Sequence, residues 1–152
     1  VFDSTKMKTI TNTILTIIAA SLICACNKEV IPSVEYLPVT ANNISGDWTL
    51  VEFSGVKLAK GTYMNITFVR NEKTFVMEQN LDSPNDIPHV STGTFNIVVD
   101  EAIGSIIKGK YDYDGGLWSH DYIVTDLTAA SMTWTAKDDS SYIQKFERPK
   151  SE

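Results

Sequence analysis

From Gly46 to Arg148 the chain alternates between apolar and polar residues in short runs stopped by turns, and this pattern limits its fold more than any other feature. Met64, Ile66 and Phe68 alternate with Tyr63, Asn65 and Thr67. Phe95 and Ile97 alternate with Asn96 and Val98, and Met132, Trp134 and Ala136 with Thr133 and Thr135. A period of two sends successive side chains to opposite faces of a strand, whereas a helix needs a period near 3.6. Residues 47–54, 62–69, 74–80, 90–99, 104–111, 118–125, 131–136 and 141–148 read as strands on this basis. Asp114-Gly115-Gly116 is a strong hairpin signal, because glycine accepts positive φ. Residues 126–130 fit a short turn of helix, and residues 81–89, with Pro84 and Pro88, form the longest irregular piece.

Eight short strands joined by tight turns predict an all-β domain. Its expected form is an eight-stranded antiparallel up-and-down β-barrel, with a β-sandwich as the main rival. Closing the sheet removes the exposed edges that invite aggregation. An interior of eight strands is either filled by side chains or holds one small ligand.

The first quarter of the chain has a different character. Met7-Lys8 reads as the true start, Lys8 supplies a basic n-region, and residues 10–25 supply an apolar run. This pattern marks a secretory signal over residues 1–25. Thr11, Asn12, Thr13 and Thr16 interrupt the run, and a transmembrane helix needs about 20 apolar residues. Ile23-Cys24-Ala25-Cys26 resembles the lipobox of bacterial lipoproteins. That resemblance implies lipid on the Cys26 sulfur, cleavage just before it, and loss of Cys24 with the signal. Asn27 stands where an Asp often retains such proteins in an inner membrane, so the resemblance implies the outer membrane. Residues 26–45 then form the lipidated cysteine and a flexible tether with a reach of about 60 Å, biased toward extended structure by Pro32 and Pro38. Its apolar residues Val34, Tyr36, Leu37 and Val39 leave room for part of it to pack on the domain.

Charge excludes one class of partner. The chain has 13 basic and 19 acidic residues. Residues 1–25 hold only Lys6, Lys8 and Asp3, so the remainder is more acidic still. Nucleic-acid binding needs clustered Lys and Arg, and no nucleic-acid partner is expected.

Several residues of the strand region resemble the lipocalin-like (calycin) lipoproteins. Gly46-Asp47-Trp48 opens the first strand as a Gly-x-Trp does in that family, and Arg148 stands where an Arg covers that Trp. Gly93-Thr94-Phe95, Tyr122-Ile123-Val124 to Leu127-Thr128, Met132-Thr133-Trp134 and Lys145-Phe146-Glu147-Arg148 match further stretches of its pattern. The resemblance spans about residues 44–149. It implies a lipocalin-like barrel over residues 46–149, with Trp48 and Arg148 in a structural role.

The same alternation nominates an interior. Met64, Phe68, Met77, Gln79, Tyr111, Trp118, His120, Tyr122, Met132, Trp134, Tyr142 and Gln144 are expected to face inward. Such an apolar and aromatic wall with a few polar groups suits either a small-molecule pocket or a filled core. Catalysis is not expected, because this region has no cysteine and only His89 and His120 as histidines. Two histidines without a clear acidic third ligand do not make a zinc site. Asp112 and Asp114 read as a turn rather than a calcium loop, and Asp138-Asp139 as a solvated turn. No metal or cofactor is expected. The expected function is therefore a lipid-anchored envelope module that binds a small apolar or amphipathic ligand. The alternative is a non-catalytic scaffold whose filled barrel contacts other envelope proteins.

Overall fold

The computed structural model describes residues 33–81 and 87–150. The signal and Cys26 lie outside these residues, as does most of the segment read as a lid. A single turn of helix, α1 (Ala41–Ile44), precedes nine strands. These are β1 (Gly46–Phe53), β2 (Val56–Lys57), β3 (Met64–Val69), β4 (Thr74–Gln79) and β5 (His89–Asp100), then β6 (Gly104–Tyr111), β7 (Tyr122–Thr125), β8 (Ser131–Ala136) and β9 (Ile143–Glu147).

Strands β1 and β3 to β9 pair antiparallel in chain order, and β9 pairs back onto β1, with Leu50 opposite Phe146. The fold is a closed eight-stranded up-and-down β-barrel. The extra strand, β2, is a two-residue flap hairpinned onto the end of β1. Ser54 (φ 47°) and Gly55 (φ 82°) make its turn. Two positive-φ residues in succession match the twist of a two-residue hairpin. The strand read as ending at Ser54 therefore folds back on itself, and the turn expected at 57–61 begins after β2.

Alternation sets the wall. In β3, Met64, Ile66 and Phe68 are buried, and in β8 so are Met132, Trp134 and Ala136. Each fully buried large apolar side chain contributes roughly 1.5–3 kcal/mol relative to exposure. Phe68 meets Phe95 edge-on at 4.9 Å, and Trp134 lies 4.8 Å from Phe146. These rings fill the half of the barrel where β1 begins and β9 ends.

That end is plugged by residues upstream of the first strand. Thr40 caps α1 by accepting the Asn43 N–H at 3.2 Å. Ile44 is fully buried and its carbonyl accepts the Trp48 indole N–H at 2.7 Å. The Leu37 N–H donates to the Leu127 carbonyl at 2.7 Å, and Leu37, Val39 and Ala41 pack on the core. The packed unit therefore starts near Leu37, and the expected tether loses its last residues to the barrel. Burial of Ile44 is the physical reason. Arg148 closes the plug, with its guanidinium carbon 4.1 Å from the Trp48 ring centroid and Nη2 donating to the Asn43 carbonyl at 3.1 Å.

Two local readings change. Residues 126–130 form a turn, not helix. Asp126 has φ 52°, and the Thr128 hydroxyl accepts the Ala130 and Ser131 N–H groups at 3.1 and 2.9 Å. The strand expected over 118–125 begins only at Tyr122.

Candidate functional site

The unplugged half of the barrel contains a cavity of about 150 Å³. Its wall comes from the start of β3, the end of β4, the end of β6, β7, the middle of β8 and the start of β9. Of the eleven residues nominated above for ligand contact, nine line it: Met64, Met77, Gln79, Tyr111, Trp118, Tyr122, Trp134, Tyr142 and Gln144. Leu81 and Ser119 complete the lining.

Phe68 and His120 do not line it, and each departs for a geometric reason. Phe68 shares the inward face of Met64 but sits one full turn of the pleat deeper, in the filled half against Phe95. Inward periodicity fixes a face and says nothing of depth along the axis. His120 lies in the β6–β7 connection, outside any strand. Its Nδ1 is 2.7 Å from Asp138 Oδ1, and its ring lies 4.7 Å from that of Tyr142. It packs behind a lining residue at the rim. That hydrogen bond holds the exposed Asp138 carboxyl below its usual range. Met132 is also inward but belongs to the filled core. His89, read as a loop residue, opens β5 and is exposed.

Trp118 reaches the interior from a loop. Asp114 accepts the Gly116 N–H at 2.7 Å, which tightens the hairpin after β6, and the Trp118 N–H donates to the Gly109 carbonyl at 2.9 Å. The indole then lies over Gly109, where an added Cβ would come within 1.9 Å of it. The missing side chain of Gly109 is the space the ring occupies. Trp118 stacks obliquely on Trp134 at 5.6 Å, and Trp134 on Tyr122 at 5.2 Å. Aromatic faces and edges therefore form most of one wall.

The electrostatics of the cavity are unusual in one respect. No Lys, Arg, Asp, Glu or His lines it. Three buried polar atoms have no hydrogen-bond partner: Trp118 Nε1, Trp134 Nε1 and Gln144 Oε1. All three belong to residues of this wall. A buried polar group left unpaired costs about 1–3 kcal/mol. The Tyr122 hydroxyl is pushed well above the usual range, first by burial and then by the neighbouring Tyr142. Burial raises Tyr111 as well. Both phenols are therefore neutral donors at neutral pH.

Beside the cavity an open groove of about 570 Å³ runs along β2. Phe53, Val56, Leu58 and Ala59 line it, and it shares Leu81 and Tyr142 with the cavity. Asn80 was not foreseen from the sequence. Its amide accepts the Tyr63 N–H at 2.7 Å and donates to the Gly61 carbonyl at 2.9 Å, which fixes the loop ahead of β3.

Among the described residues no helix is long and apolar enough to cross a membrane, and no three His, Cys, Asp or Glu side chains gather to hold a metal ion. Comparison of the chain with models of protein families, with curated proteins and with solved structures finds no match.

Proposed function

We propose that the chain is a cell-envelope lipoprotein of the lipocalin-like kind, held through Cys26 at a membrane, with the outer membrane favoured by Asn27. Its barrel binds a small apolar or amphipathic ligand without chemical turnover. The observation that carries the binding reading is the set of three unpartnered polar atoms around a cavity in an otherwise filled barrel. Native cores pair nearly all their buried polar groups, and a local cluster of exceptions calls for a reason. A bound molecule that pairs them supplies it. The anchor rests on the Ile23-Cys24-Ala25-Cys26 stretch and the apolar run before it.

The binding reading is tested by thermal denaturation of the full chain in detergent micelles with fractions of a bacterial envelope extract. A ligand at one hundred times its Kd adds about 2.7 kcal/mol, which raises Tm by roughly 10 °C in a domain of this size. At least one fraction should do so, and no shift from any fraction would count against binding. The anchor is tested by expression in a bacterial host with radiolabelled palmitate. The chain should take up label and Cys26→Ser should not.

A specific observation favours the scaffold reading as second choice. Val56 is 69 % exposed on the apolar groove along β2, a surface a partner could cover. Under that reading Val56→Asp weakens capture of an envelope protein and leaves the thermal response to small molecules unchanged.

A further inference from the structure

The geometry points to the kind of group the barrel holds: a single planar ring, uncharged, carrying a hydroxyl or similar group that both accepts and donates a hydrogen bond. This inference rests on the reading of the barrel as a ligand binder and adds the chemistry of the part that enters it.

Size comes first. A cavity of about 150 Å³ has the volume that admits one benzene-sized ring when its lining is apolar. It corresponds to only about five water molecules at liquid density. A fused-ring sterol, a haem or a long acyl chain does not fit within it. Shape comes next. Trp118, Tyr122 and Trp134 stand with neighbouring ring planes inclined by 31° and 33°. Such walls favour a flat aromatic guest through offset or edge contacts, each worth about 0.5–1.5 kcal/mol beyond burial. A puckered or linear aliphatic guest makes fewer of them.

Charge and hydrogen bonding complete the description. With no cationic side chain in the lining, a carboxylate or phosphate would lose its hydration without a counter-charge, which is strongly unfavourable. The unpartnered groups are two indole donors and one amide carbonyl acceptor. Indole nitrogen can only donate and the carbonyl can only accept. A neutral hydroxyl answers both kinds, since its oxygen accepts from an indole and its proton goes to Gln144. An unsubstituted hydrocarbon ring fills the space but leaves all three groups unpaired.

Fluorine NMR of the full chain in lipid nanodiscs, against empty nanodiscs, tests this with four probes at neutral pH: 4-fluorophenol, fluorobenzene, 4-fluorobenzoate and 8-fluorooctanoate. The expected result is saturable binding of 4-fluorophenol, binding of fluorobenzene weaker by about tenfold, and no saturable binding of the two carboxylates. Gln144→Leu keeps the volume and removes the carbonyl. It should bring the affinity for 4-fluorophenol down to that for fluorobenzene, and leave fluorobenzene unchanged. Equal affinity of the two neutral rings, or tighter binding of 4-fluorobenzoate, overturns the assignment. Binding of 8-fluorooctanoate in preference to both neutral rings overturns the ring while leaving the barrel a binder of amphiphiles. Absence of saturable binding by all four overturns both readings. If Gln144→Leu does not fold, the order of the four probes on the natural chain decides alone.

Discussion

Replacing Gly109 with alanine should destabilise the barrel, and it should do so through one neighbour. The added Cβ would sit 1.9 Å from Trp118 Cε2, 2.2 Å from Cδ2 and 2.4 Å from Nε1. Carbon atoms rest at about 3.5–4.0 Å, so the indole must retreat by nearly the radius of an atom. Phe75 at 5.1 Å and Trp134 at 5.6 Å, centroid to centroid, stand around it. Forcing one extra carbon into such a site costs about 1–3 kcal/mol. If the ring instead leaves the barrel, about 150–250 Å² of aromatic surface at roughly 25 cal/mol per Å² puts the loss near 4–6 kcal/mol. For a domain of this size the smaller range lowers Tm by about 4–12 °C. The assay is thermal and urea denaturation of the full chain followed by circular dichroism, in a cycle with Trp118→Ala. In the Trp118→Ala background the clash is gone, and Gly109→Ala should cost less than about 1 kcal/mol or be mildly favourable. An equal cost in both backgrounds would refute the claim that Gly109 exists to admit the indole.

Three further changes probe other parts of the account. Ile44→Ala should cost about 2–5 kcal/mol by urea denaturation, as for a core aliphatic, because the side chain is fully buried; a cost near zero would return residues 37–45 to the tether. Arg148→Ala should cost about 1–3 kcal/mol through loss of the indole contact and of the hydrogen bonds to the Asn43 and Ala129 carbonyls, and Arg148→Lys should recover only part of it in the same assay, since an ammonium lacks the planar fork. Burial raises the Tyr122 pKa above its ordinary 10.0, so the folded state favours the neutral phenol. That contribution is complete below the unfolded pKa and falls as pH rises above it. Urea midpoints of the natural chain should therefore drop on the alkaline side, and Tyr122→Phe should flatten that drop.

Much of the barrel was legible because its wall has water on one side and core on the other. Alternation in β3, β4, β8 and β9 names the inward residues directly, and closure follows from eight such runs. Alternation does not encode height, which is why Phe68 was grouped with the cavity residues although it fills the opposite half. Trp118 was placed inward for an insufficient reason. Its position relative to Tyr122 suggested a shared strand, whereas the ring enters from a loop because Gly109, far off in sequence, leaves room for it. His120 followed the same pattern and ended at the rim, held by Asp138. Residues 37–45 carry no period because a plug touches the core at isolated points, Ile44 above all, and the Thr40 cap was the one local signal of order. Ser54-Gly55 is a turn by its positive φ, yet in sequence it continued the first run. The unpartnered indole and amide groups are products of packing, and no sequence pattern announces them.

The central claim is that the open half of the barrel holds a small molecule. Native mass spectrometry of the full chain, purified from its membrane and released from micelles in the instrument, tests it most directly. The account predicts a reproducible mass excess of one small neutral compound, retained by the natural chain, lost on denaturation, and lost in a variant that fills the cavity, Met77→Trp. A mass equal to that of the lipidated chain alone, unchanged after incubation with small hydroxylated aromatics, would contradict it and leave the barrel a scaffold.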